Sequence, residues 1–232
     1  DIQNILQKQN YIDSVILNPF RKGRFFLYDV FKLSKILKKK NIDCAFILEK
    51  TKGSAIACKL AKVEKIFGFG IGSQKFLVES FSRLKKNDLR YNYTYQSIKF
   101  LNIHKISYNF NDKFLILDQI EKINFKKKFE SLPKPWVCFA VDSTEINRIW
   151  PQKSFAELAD KLINKNLAKT IFVINHENHK KYFDEVISNS EFRNNFVNCK
   201  SLNRSEIIYL IEMCEFFVGI DSGPSCVSGA LN

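Results

Sequence analysis

An alternation of short apolar runs with longer amphipathic segments constrains this chain most. Asp43–Leu48 (DCAFIL), Trp136–Val141 (WVCFAV), Thr170–Asn175 (TIFVIN) and Phe216–Ile220 (FFVGI) are the length of strands rather than helices. Lys65–Phe69 and Phe196–Cys199 are shorter runs of the same kind. Between them, apolar residues recur every three or four positions. Phe25–Lys40 places Phe26, Val30, Leu33 and Leu37 on one helical face and ends in lysines, which suit the negative end of a helix dipole. Ser54–Ala61, Ser80–Leu89 and Tyr95–Leu101 are further helical segments. So are Ser154–Asn164, where Ser154 and Glu157 are spaced as a capping box, Lys180–Ser188 and Ser205–Cys214. Short strands alternating with such helices predict βαβ units and parallel sheets.

The alternation breaks at Leu132-Pro133-Lys134-Pro135, where two prolines in three residues predict an extended linker. The expected organisation is therefore two Rossmann-like domains, 1–132 and 133–232. Both ends look cut. The chain opens on Asp1 without Met, and Ser225–Leu231 reads as the first turns of a helix.

Composition narrows the class. A hydrophobic share of 45% with 26% charged residues describes a globular chain and excludes wholesale disorder. No stretch reaches the ~18 consecutive apolar residues of a spanning helix. Six cysteines stand singly, without a CxxC pair, which predicts reduced thiols and a cytoplasmic protein. The net charge of +13 invites nucleic acid or an anionic membrane face as partner. Abundant Lys, Asn, Ile, Phe and Tyr also fit A/T-rich codons. A basic nucleic-acid-binding module is the weaker alternative. The phenylalanines sit at core periods rather than interleaved with lysines, and no DNA or RNA motif appears.

Ligands of open α/β sheets gather at the carboxyl ends of strands. Three such ends in the second half are polar. The first runs from Asp142-Ser143-Thr144-Glu145 to Arg148, with hydroxyls and a cation suited to phosphate oxygens. The second is Asn175-His176-Glu177-Asn178-His179. Its histidines are three apart, not four, so it predicts no metal site, but Glu177 suits ribose hydroxyls. The third, Asp221-Ser222-Gly223-Pro224, follows FFVGI and opens a helix whose free N–H groups suit a pyrophosphate. Gly68-Phe69-Gly70-Ile71-Gly72 lacks the third glycine of a dinucleotide loop and is expected to be a flexible turn.

Arg148-Ile149-Trp150-Pro151 followed by SFAELADKL resembles a segment of the bacterial family 9 glycosyltransferases, the ADP-heptose:lipopolysaccharide heptosyltransferases. FFVGIDSGPSCVSGALN resembles their acidic-hydroxyl-Gly-Pro signature, and Asn41–Phe69 and Tyr11–Ile16 resemble parts of their first domain. The resemblance implies a GT-B fold, two Rossmann-like parallel-sheet domains facing a cleft, with the first strand and the C-terminal end outside the chain. It implies inverting transfer of a heptose from ADP-heptose to a lipopolysaccharide core acceptor, without metal or cofactor. It places Ser143, Thr144, Arg148, Glu177, Asp221, Ser222, Gly223 and Cys226 at the donor site, with 1–132 on the acceptor side. Cys226 stands where the family usually has His, which leaves room for a degenerate relative that binds but does not transfer. The catalytic base would precede Asp1. The acceptor implies peripheral contact with an anionic membrane at the cytoplasmic face of the inner membrane, to which Lys38–Lys40 and Phe125–Phe129 would add charge.

Overall fold

A computed structural model describes residues 2–17, 19–20, 26–49, 52–79, 84–85, 87–91, 93–107, 115–143, 146–176 and 180–231. The chain packs as two units, Ile16–Phe110 and Asp1–Val15 with Asn111–Asn232.

The described elements begin with α1 (Ile2–Gln7), α2 (Phe26–Lys39), β1 (Cys44–Ile47), α3 (Gly53–Leu60), β2 (Lys65–Gly68) and α4 (Tyr93–Ile103). From α2 to α4 they belong to the Ile16–Phe110 unit. Strands β1 and β2 pair in parallel, with Cys44 opposite Lys65. Ile47, Ala55, Cys58, Val63 and Ile66 form the small core between this pair and α3. Ser80–Leu89 lies partly outside the described residues; the described part holds only a 3-10 turn, Asp88–Arg90. The glycine-rich segment is a turn, as expected, but a pinned one. Gly70 and Gly72 sit at positive φ, and buried Gln74 bridges the Gly70 N–H and the Glu49 carbonyl at 2.8 and 2.9 Å.

The other unit continues with α5 (Gln119–Lys127), β3 (Trp136–Ala140), α6 (Gln152–Asn164), β4 (Thr170–Ile174) and α7 (Lys180–Ser188). It closes with β5 (Phe196–Asn198), α8 (Arg204–Met213), β6 (Phe216–Gly219) and α9 (Gly223–Leu231). Its four described strands run parallel in the order β5-β4-β3-β6. Every residue of β3 and β4 is buried, which is why these strands read as unbroken apolar runs rather than alternating ones. Successive side chains serve opposite faces. Val137, Phe139 and Val141 meet Phe155, Ala156 and Ala159 of α6 and Val186 of α7. Trp136 and Cys138 join Phe172 and Ile174 of β4 in a second core with Phe125 of α5 and Leu210 of α8.

The structure differs from the simplest expectation at the Pro-rich segment, in how the chain divides by packing, and at the start of α6. The Leu132–Pro135 segment is not a free linker. Leu132 packs into the α5–α8 core, the Pro133 carbonyl accepts from Thr170 Oγ1 at 2.8 Å, and the Pro135 carbonyl accepts from the Lys169 N–H at 2.8 Å. Helix α5 and the first fifteen residues also pack with the second sheet, so the division by packing differs from the expected 132/133 boundary. The cause is Phe125 and Phe129, four apart within a lysine run. Their rings lie 5.3 Å from each other, and Phe129 lies 5.2 Å from Phe172. Helix α6 starts at Gln152 with Pro151 as its N-cap and no side-chain cap, so Ser154 and Glu157 form no capping box. Asn203 and Glu206 make one at the start of α8 instead.

Candidate functional site

The second sheet decides where a ligand can sit. From β3 the chain steps to β4 and β5 on one side, then crosses to place β6 on the other. The direction of winding therefore reverses between β3 and β6, and crevices form at the carboxyl ends of strands where that happens. Ala140 lies opposite both Ile174 and Gly219, so the loops after β4, β3 and β6 leave the sheet at one level.

Among the described residues, two contacts brace these loops. The Arg148 guanidinium, after β3, donates to the Asp221 carboxylate, after β6, at 2.9 Å. The Asp142 carboxylate accepts from the His176 backbone N–H, after β4, at 2.6 Å. Trp150 steadies the first loop by packing edge-on against buried Phe155, with ring centroids 4.9 Å apart. Arg148 and Asp221 keep 45% and 80% of their side chains exposed, so their ion pair contributes only ~0.2–1 kcal/mol.

The structure thus brings Arg148, Asp221, Ser222 and Gly223 to one place. The Ser222 hydroxyl oxygen is buried and meets no hydrogen-bond partner among the described residues. Gly223 opens α9, and a Cβ there would meet nothing within 4 Å, so the approach to this helix end is open. The Ser222 carbonyl accepts from the Cys226 N–H at 3.2 Å, and Cys226 carries an exposed free thiol in the first turn of α9. Ser143 follows Asp142 and is half-buried. Thr144 and Glu177 lie outside the described residues.

Gln152 is not singled out from sequence, and Asp142 is read only as part of the polar loop after the Trp136–Val141 strand. Gln152, in the first turn of α6, is buried. Its amide nitrogen donates to the Val141 carbonyl at 3.5 Å, while its amide oxygen has no partner among the described residues. The only sequence signal was a glutamine directly after the Trp150-Pro151 pair. A groove of about 660 Å³ lies elsewhere, between α1, α5 and the start of α8. Its charges are mutually satisfied: Lys8 and Tyr209 reach Glu121, and Lys128 reaches Glu206. No group of three potential ligands that could hold a metal occurs among the described residues.

A doubly wound parallel sheet with a cation and an open helix start at its switch point is the class of α/β protein that holds phosphorylated ligands at strand ends. The family model for glycosyltransferase family 9 (heptosyltransferase) matches residues 30–232, and the chain belongs to that family. Tyr11–Ile16 precedes the matched residues. No curated protein matches the chain. E. coli ADP-heptose lps heptosyltransferase II superposes with a TM-score of 0.68 at 21% identity, over 89% of this chain and 65% of that one. The family 9 glycosyl transferase from Veillonella parvula gives 0.77 at 15% identity, over 98% and 66%. E. coli heptosyltransferase WaaC, solved with ADP, gives 0.59 at 14% identity, over 86% and 62%. This chain therefore spans just under two thirds of the solved structures it matches. The likeness establishes the expected fold, α/β with parallel sheets of the GT-B kind.

Proposed function

We propose that the protein is an inverting glycosyltransferase that takes a heptose, or a related sugar, from ADP-heptose or another nucleotide sugar. The acceptor in this reading is a hydroxyl of a lipopolysaccharide core-type glycolipid, met at the cytoplasmic face of an anionic inner membrane. The observation that carries the reading is Arg148 held beside Asp221 and Ser222 at the β3–β6 switch point. Family membership and the ADP held by WaaC support it.

Transfer with inversion needs a donor diphosphate whose growing negative charge is stabilised as the sugar leaves. Arg148 exchanges the weak Asp221 contact for bidentate contacts to phosphate oxygens. The Ser222 hydroxyl, which has no partner among the described residues, gains one, and the N–H groups at the start of α9 receive the remaining oxygens. Ser143, Thr144, Glu177 and Cys226 complete the donor set in this reading, with Glu177 toward the ribose. We assign no residue of this chain as the base that deprotonates the acceptor. Calorimetric titration with ADP, followed by a transfer assay with ADP-heptose and other nucleotide sugars, tests the reading. Micromolar ADP binding with transfer from one of these donors is expected; neither binding nor transfer overturns it.

A further inference from the structure

We propose that the outward face of α2 docks the protein onto an anionic lipid bilayer. The inference deepens the glycolipid-acceptor reading above, on which it rests for its purpose, and names the element that makes the contact. Leu27, Tyr28 and Phe31 are 77%, 67% and 58% exposed, although each is a residue type that normally seeks cover. They are not scattered. Leu27, Phe31, Lys35 and Lys38 follow one another at spacings of four, four and three, so they form one stripe along the helix. Tyr28, Lys32 and Lys39 form the stripe beside it. In both stripes the apolar residues come first along α2 and the lysines follow.

The opposite side of α2 is already used. Val30 and Ser34 are buried, and Leu37 packs against the core formed by α3 and β2. The outward face is therefore the side left to a partner. The one carboxylate of the helix, Asp29, is buried and lies off that face. Lys32, Lys35, Lys38 and Lys39 are all exposed, and none is ion-paired among the described residues.

This pattern selects the occupant. A second copy of the chain would set these lysines against lysines in a parallel two-fold contact and against Leu27, Tyr28 and Phe31 in an antiparallel one, and neither supplies them an anion. An aqueous polyanion would satisfy the lysines but leave Leu27, Tyr28 and Phe31 in water. An anionic bilayer satisfies both. Its headgroups pair with the lysines, and its headgroup–acyl boundary takes the apolar half, with the tyrosine at the interface where such rings settle. The helix is about 21 Å long and lies along the membrane plane rather than across it. No described helix is long and apolar enough to cross.

Co-sedimentation of the protein with phosphatidylcholine vesicles, with and without phosphatidylglycerol, tests the proposal. Binding is expected only with phosphatidylglycerol, weakening as salt rises. Leu27→Ser with Phe31→Ser should lower the partition coefficient by about tenfold or more, and Lys35→Gln with Lys38→Gln by about fivefold per lysine. Tyr28→Trp should show a blue-shifted emission on anionic vesicles and an unshifted one on neutral vesicles. Equal binding to both vesicle types overturns the proposal. So does an unshifted indole emission from the sedimented Tyr28→Trp variant, or a dimer in solution that Leu27→Ser with Phe31→Ser dissociates. ADP affinity of the α2 variants should match the parent. Vesicle binding without ADP binding defeats the donor reading alone, and ADP binding without vesicle binding defeats the α2 proposal alone.

Discussion

The Arg148 guanidinium reaches the Asp221 carboxylate at 2.9 Å across the gap between β3 and β6. Seventy-three positions separate the two residues, yet their strands are adjacent, with Ala140 opposite Gly219. Among the described residues, this solvent-exposed bond links the loops after β3 and β6. In the proposed reading, the donor phosphate takes the place of this weak contact.

Arg148→Ala should weaken ADP binding by about tenfold to a hundredfold, as expected for losing a charge-assisted contact of roughly 1.5–3 kcal/mol. Arg148→Lys should lose less, because it keeps the charge but not the bidentate fork. Calorimetric titration with ADP measures both. Unchanged affinity in a folded Arg148→Ala protein removes this residue from the site.

Ser222→Ala separates binding from folding. The buried hydroxyl has no partner among the described residues, so its removal breaks no bond there, and the melting temperature should hold or rise slightly. ADP affinity should fall, by about fivefold for a neutral hydrogen bond of ~1 kcal/mol. A fall in thermal stability with ADP affinity intact would show that the hydroxyl serves the fold instead.

Cys226→His tests the departure from the family pattern. The side chain leaves the first turn of α9 beside the Ser222 carbonyl and is exposed, so the larger ring can be accommodated without repacking. Donor affinity or transfer should rise if cysteine has cost the site a contact. A folded His variant with unchanged ADP binding and transfer leaves the substitution without a functional consequence.

Glu121 accepts hydrogen bonds from Lys8 and Tyr209, both at 2.6 Å. The Lys8 bond, then the Tyr209 bond, holds its carboxyl below the ordinary value of 4.5. The unfolded chain thus binds a proton at this site more readily than the folded one. Stability from the site is complete above pH 4.5 and is lost as pH falls through the lower folded value. Both Lys8 and Glu121 are nearly half exposed, so the effect should be under ~1 kcal/mol. Glu121→Gln should flatten the acid limb of the melting temperature below about pH 5. An acid limb as steep as the parent's would show that Glu121 does not contribute to it.

Local pattern determined much of this protein. Completely buried strands such as Trp136–Ala140 and Thr170–Ile174 must be apolar at every position, so they stand out along the chain. The Asp221–Gly223 turn was legible because a strand end, an acid and a helix-opening Gly-Pro carry their meaning within a few residues. Tertiary structure alone decided the rest. Helix α5 was hidden because Phe125 and Phe129 are two apolar residues in a lysine-rich run, and only the Phe172 and Tyr209 rings opposite them make that pair a core face. The start of α6 at Gln152 depended on Pro151 rather than on the Ser154–Glu157 spacing. The pairing of Arg148 with Asp221 depended on strand order, since β6 could have added beside β5 and left them far apart. A sequence records which side chains can cap, pair or bury, but neighbours far along the chain choose among these options through the burial they offer.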